Sequence, residues 1–251
     1  MALWEEHTYS NMADYLAKLA AFGTANGWTV STSTASTVVM SKGEATLTTT
    51  DGGSHYANRS MTVGGLTSGI ATEFQLGVDR KFGFISCGVN LFFYTEYWHT
   101  TTTFQGVYFG GAMQITDKVG AWSGGHLLSC SRVQQIYRFA DWFLNNAMVN
   151  RSALLYEGAW TAMGVAAAGR PYGSIGQERI ILGPNYFNAA TLPVPVLIYQ
   201  YDANTAYVHP IGFAPCVFRA NRGTVYAVGD IITISGEQYL WMHNSLLFKV
   251  S

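Results

Sequence analysis

The sequence is short of charge. Of its 251 residues only 12% are Asp, Glu, Lys or Arg, split into 14 basic and 15 acidic side chains, where an average globular chain carries ~25%. With neither sign in excess there is no electrostatic footprint for nucleic acid or an anionic membrane, and neither is expected as a partner. Cysteine is scarce too: Cys87, Cys130 and Cys216 stand far apart with no Cys-x-x-Cys pair. That spacing argues against a zinc or redox motif, and the odd count favours reduced thiols. No long apolar run is free of breakers. The most uncharged stretch, 180–201, is interrupted by Pro184, Asn185, Asn188, Pro193 and Pro195, which excludes a spanning helix there. Met1 leads into Trp4, Glu5, Glu6 and His7 without a basic and then apolar leader, so synthesis in the cytoplasm is expected.

Motifs that carry chemistry are missing as well. The chain has no Gly-x-Ser-x-Gly elbow, P-loop, His-Glu-x-x-His or dinucleotide-binding glycine pattern, so no catalytic or cofactor-binding residue is assigned and no cofactor is expected. Asp117, Asp141, Glu157 and Glu178 are widely scattered, whereas a glycosidase must bring two carboxylates together across a sugar. His7, His55, His99, His126, His209 and His243 show no metal-ligand spacing, and no metal is assigned. An enzyme is not expected.

What the sequence does contain is aromatic residues, 14% of the chain, and 27 glycines. Disordered chains are charge-rich and aromatic-poor, so a packed core is expected instead. Met12, Tyr15, Leu16, Leu19 and Phe22 recur at helical spacing and predict a helix over about 11–26. Ser10 or Asn11 can cap its start, and Asn26-Gly27 ends it. Trp28-Thr29-Val30 opens an extended segment, and the Ser/Thr-rich run to Thr50 reads as strands around a turn at Lys42-Gly43-Glu44. A strand is expected at 71–76, and 82–94 and 103–115 are the most strand-like segments. Neither of those two alternates cleanly, which suits strands buried on both faces. A short helix is predicted at 133–145, and the Ser235-Gly236 pair marks a hairpin over about 229–242. No linker or repeat divides the sequence. The expected fold is one domain over 1–251, mainly β, sandwich or barrel-like, with an N-terminal helix and one or two short helices; α+β is the alternative.

Two segments are candidate contact sites. Tyr94, Glu96, Tyr97, Trp98 and His99 group aromatic faces with polar groups, the chemistry used to stack on sugars, although aromatics within strands are more often core or subunit interface. Asp51, Gly52, Gly53, Ser54 and His55 form a strong turn signal and a candidate contact loop. Low charge with many aromatics matches obligate interfaces, which are depleted in Lys, Glu and Asp.

Several local stretches resemble a family of tailed-bacteriophage virion structural proteins. The helix containing Tyr15-Leu16-Ala17-Lys18-Leu19 runs into Phe22-Gly23-Thr24-Ala25-Asn26-Gly27-Trp28-Thr29-Val30, similar to an early family helix that ends in Asn-Gly-Trp. Lys81-Phe82-Gly83-Phe84-Ile85-Ser86-Cys87-Gly88-Val89, the small-residue strand over 106–112, and the 229–242 hairpin with Arg219 upstream resemble its central and C-terminal segments. The stretch over about 117–210 departs from the family pattern. The resemblance implies a non-enzymatic virion subunit of the tail baseplate or tail tip, made in the host cytoplasm. Its implied partners are other virion proteins, in a symmetric homo-oligomer. A head–tail neck or collar component, a carbohydrate-binding module using Tyr97, Trp98 and His99, and a depolymerase with carboxylates gathered by the fold are the alternatives.

Overall fold

The computed structural model describes residues 3–69, 72–77, 79–98, 105–116, 124–130, 152–156, 158–163, 172–176, 193–202, 207–220, 226–242 and 246–250. The chain is mainly β, with three antiparallel sheets and an N-terminal helix. The segment predicted as a short helix, 133–145, lies outside the described residues.

Helix α1 spans Met12–Ala25 and follows the sequence rules closely. Asn11 is its cap: the side-chain oxygen accepts from the Asp14 backbone N–H at 2.9 Å, satisfying one of the orphan donors of the first turn. Met12, Tyr15, Leu16, Leu19 and Phe22 are all buried. At the far end Gly27 takes φ +78°, a left-handed stop that few residues other than glycine adopt without cost. The chain then turns so that Trp28 is buried against the same core.

Sheet A takes the order β1 (Trp4–Thr8), β8 (Lys81–Cys87), β9 (Asn90–Trp98), β10 (Gln105–Gln114), β11 (Gly124–Cys130), β12 (Ser152–Tyr156), β13 (Ala159–Met163). Sheet B is β2 (Thr29–Ser33), β3 (Thr37–Lys42), β4 (Ala45–Asp51), β5 (Tyr56–Val63), β6 (Leu66–Thr67), with β7 (Thr72–Gln75) also paired to β5. Sheet C is β14 (Tyr172–Gly176), β15 (Pro193–Asp202), β16 (Tyr207–Ala220), β19 (Leu246–Lys249), β18 (Glu237–Met242), β17 (Ile231–Ile234).

Sheet A is the middle layer, and its alternation shows why. Phe82, Phe84, Leu91, Phe93, Ala112 and Leu128 join a core with α1 and with Val38, Met40, Leu47, Ala57 and Met61 of sheet B. Their neighbours Ile85, Phe92, Met113 and Leu127 point the other way, into a second core with Val217, Leu240, Met242 and Phe248 of sheet C. Successive strand residues face opposite sides, so a strand apolar at nearly every position must bury both. Sheet B alternates cleanly, as in the Tyr56–Val63 strand with its strict half-buried/buried pattern. One face of that sheet packs and the other carries Ser and Thr.

Three features differ from the sequence reading or extend it. Strand β1 is new: Glu5, Glu6 and His7 give no apolar period, and the strand exists because it pairs with β8, with Trp4 opposite Ile85 and Thr8 opposite Lys81. The 82–94 segment divides at Gly88-Val89 into the hairpin strands β8 and β9. The expectation of reduced thiols is corrected, because Cys87 and Cys216 are disulfide-bonded, with Cα atoms 6.5 Å apart across 129 positions of sequence. Folding brings the two together, and no local spacing carries that signal.

Candidate functional site

The aromatic candidate segment divides once folded. Tyr94 on β9 sits opposite Gly83 of β8 and is only 2% exposed. Its hydroxyl donates to the Glu6 carboxylate at 2.7 Å and accepts from the Trp4 indole N–H at 3.3 Å. Burial first, and then the hydrogen bond to Glu6, push its phenol well above the usual range, keeping it neutral and donating. Tyr94 is therefore withdrawn from the exposed surface expected of it: with no side chain at Gly83, its ring lies over that position and reaches back to β1. Glu96 is half-buried and accepts from the Lys81 backbone N–H at 3.4 Å. Tyr97 and Trp98 continue β9 opposite Gly106 and Gln105; their side chains, and His99 as a whole, lie outside the described residues.

The Asp51–His55 loop holds together and is exposed at every position. It joins β4 to β5. The Gly52 N–H donates to the Tyr56 carbonyl at 2.8 Å, the Tyr56 N–H donates to the Gly53 carbonyl at 3.0 Å, and the Asp51 carboxylate accepts from the Gly53 N–H at 2.8 Å. Ser54 and His55 then take φ +50° and +67°, a left-handed pair without a glycine. Such conformations persist only where surrounding structure fixes them.

A second loop does the fixing. The Leu76 N–H donates to the His55 carbonyl at 2.8 Å, and the Asp79 N–H donates to the Tyr9 carbonyl at 3.0 Å. Asp79 is itself left-handed, at φ +60°. Tyr9 is the hub: it is 1% exposed, its N–H donates to the Arg80 carbonyl at 2.7 Å, and its hydroxyl pairs with His55 Nδ1 at 3.1 Å. The Tyr9 and His55 rings meet edge to face at 5.6 Å. Three non-glycine residues in left-handed conformations, Ser54, His55 and Asp79, thus share one exposed end of the molecule, tied to a single buried tyrosine.

Tyr9 and Asp79 were not identifiable from sequence. Neither lies in a motif, and what unites them with His55 is hydrogen bonding between segments far apart in the chain.

The hub has a measurable signature in alkali. Burial, and then the nearby Asp51 charge, raise the Tyr9 phenol from 10.0 to about 12. A raised acid contributes stability that is complete below its unfolded value and is lost as pH rises through the folded one. Stability is therefore expected to fall between pH 10 and about 12, and Tyr9→Phe is expected to flatten that limb in a pH series of denaturant melts. Tyr239, raised to about 12 by burial and by Glu237, and Tyr94, raised by burial and by Glu6, contribute to the same limb and set the slope that remains.

Elsewhere, Lys42, Glu44, Met113 and His126 line a cleft of about 20 Å³, room for a single water. His126 is buried there, its Nε2 3.6 Å from the Glu44 carboxylate. Among the described residues no group of three or more His, Cys, Asp or Glu side chains is placed to hold a metal, and no helix is long and apolar enough to cross a membrane. Among the described residues, the loop pair is an exposed feature held by hydrogen bonds from several segments. Its exposed backbone is fixed in place by the second loop and by Tyr9.

Compared with known protein families and curated proteins, the chain matches no family model and no curated sequence.

Proposed function

We propose that this protein is a non-enzymatic structural subunit of a tailed-bacteriophage virion, belonging to the tail baseplate or tail tip and acting through contacts with other virion proteins in a symmetric homo-oligomer. The observation that carries the reading is the surface at Ser54, His55 and Asp79: exposed backbone held left-handed and anchored on buried Tyr9. A loop already fixed loses little entropy on binding, which suits a site of repeated, geometrically strict contact between subunits. The low charge supports the same reading, since a surface covered by neighbouring protein needs little charge for solubility. The stretches that resemble virion proteins are framework residues: Phe22 and Trp28 pack in the core, and Gly27 ends the helix.

Sedimentation velocity of the isolated chain tests this. Species larger than the 27.4 kDa chain are expected across the micromolar range. His55→Glu, which places a like charge in the same loop as Asp51 and removes the Tyr9–His55 pair, is expected to shift them toward single chains, with a lower melting temperature but a chain still folded at the temperature of the measurement. A chain that stays monomeric at every concentration, or one whose assembly ignores the substitution, would count against the proposal.

A further inference from the structure

We propose that the Cys87–Cys216 bond is a reversible redox latch: closed, it holds sheet C onto sheet A, and open, it lets sheet C loosen as a unit while the rest of the fold stays intact. The reasoning starts from chain order. All described strands of sheets A and B fall within Trp4–Met163, and all those of sheet C fall after, from Tyr172 to Lys249. Sheet C is thus a contiguous C-terminal segment that can move without unthreading the other two sheets. Sheets A and B, by contrast, share α1 and one core, and the chain passes from β1 of sheet A through sheet B and back to β8.

Sheet C is attached more simply. An apolar layer lies between Ile85, Phe92 and Met113 on one side and Val217, Leu240 and Phe248 on the other. Among the described residues, one isolated backbone bridge joins Thr116 to Phe213, with N–H···O distances of 3.0 and 2.9 Å. The disulfide is the covalent cross-link between the two parts, closing a loop of 129 positions, and long loops gain most from closure.

Local geometry makes the bond openable. Cys87 is the last residue of β8, beside the Gly88-Val89 turn, and both cysteines are half-buried rather than sealed in the core. Cys216 lies where β16 slips against β15, between the pairs Pro195–Phe218 and Leu197–Phe213. This bulge aims it at Cys87 with a left-handed φ of +60°, an unfavoured conformation for a side-chain-bearing residue. Opening the bond frees that residue to relax. The chemistry is thiol–disulfide exchange. A thiolate of an external dithiol attacks one sulfur, forming a mixed disulfide and releasing the other cysteine as thiolate. The second thiol of the reagent then displaces the first cysteine. The reagent leaves as a disulfide, and two electrons and two protons end on Cys87 and Cys216. A small-molecule disulfide reverses the sequence.

Hydrogen exchange on the full chain, read by mass spectrometry before and after treatment with a small dithiol, tests the proposal. Alkylation is expected to label Cys87 and Cys216 only after reduction. Amide exchange in Tyr207–Ala220 and Glu237–Met242 should then rise by about thirtyfold or more, the low end of what a disulfide typically contributes. Thr37–Lys42 and Tyr56–Val63 should be unchanged, and a small-molecule disulfide should restore the original rates. The double variant Cys87→Ser/Cys216→Ser should show the reduced pattern with or without dithiol. Equal acceleration in sheets B and C, no acceleration in sheet C, reduction only on global unfolding, or a double variant that does not fold would each overturn it.

Discussion

Arg59→Ala is expected to lower stability by about 3–5 kcal/mol, from the lost packing volume and the polar groups left behind. Arg59 lies on β5 opposite Thr49 and Thr72, is 1% exposed, and reaches across the layers. Its guanidinium carbon stands 4.0 Å from the centre of the Phe93 ring of sheet A. One terminal nitrogen donates to the Tyr15 hydroxyl of α1, and the other donates to the Ala57 carbonyl at 3.3 Å. A desolvated cation over an aromatic face contributes about 2 kcal/mol or more, and this one also joins the helix and both sheets of the larger core. Arg59→Lys should recover little, because an ammonium lacks the planar fork that serves ring and acceptors together. Urea melts check it: the midpoint should drop at constant slope, and a loss below about 1 kcal/mol, the size of an ordinary surface change, would contradict the assignment.

Gly83→Ala carries the second large effect, about 3 kcal/mol of destabilisation through overpacking. A Cβ at this position would stand 2.5 Å from the Glu5 carbonyl and 2.7 Å from Tyr94 Cζ. Neither neighbour can withdraw cheaply. The carbonyl belongs to the β1 ladder, and the Tyr94 ring is held by Glu6 and Trp4. The strain should therefore be released by loosening β1, which is read as faster amide exchange at Trp4–Thr8 alongside a lower melting temperature. Unchanged exchange in β1 with full stability would show that the ring moves aside freely.

The same residues explain what the sequence could and could not convey. Local information sufficed for α1, because its stripe, its Asn11 cap and its Asn26-Gly27 stop all lie within 11–27. It sufficed for the hairpin, where Ser235 and Gly236 take φ +54° and +85°, and for the middle position of sheet A, because two-sided burial removes the alternation of β8 and β9. Pairing between distant segments left no such trace. Glu5-Glu6-His7 becomes a strand only against β8, and Cys87 meets Cys216 only after sheet C docks. Tyr94 could be read from sequence as a candidate surface residue or as core, and only the pairing with Gly83 decides for core. Of the two hydrogen-bonded loops, the Asp51–His55 half was legible as a turn. The half built from Tyr9 and Asp79 was not, since its hydrogen bonds join residues tens of positions apart.

These long-range contacts also set the order of events on unfolding. The core around Arg59 and α1 joins two sheets, whereas among the described residues sheet C meets sheet A through an apolar layer, a backbone bridge and a disulfide. Loss of order is expected to begin in sheet C, as subglobal opening usually begins in the least interconnected unit.

The central claim, that this chain is a built-in subunit of a phage particle, is tested most directly by the composition of particles purified on a density gradient from the host carrying the gene. Quantitative mass spectrometry of those particles is predicted to find the chain at a fixed, symmetric copy number relative to the other tail proteins, retained after a high-salt wash. Its absence from intact particles, or a copy number that drifts between preparations, would contradict the account.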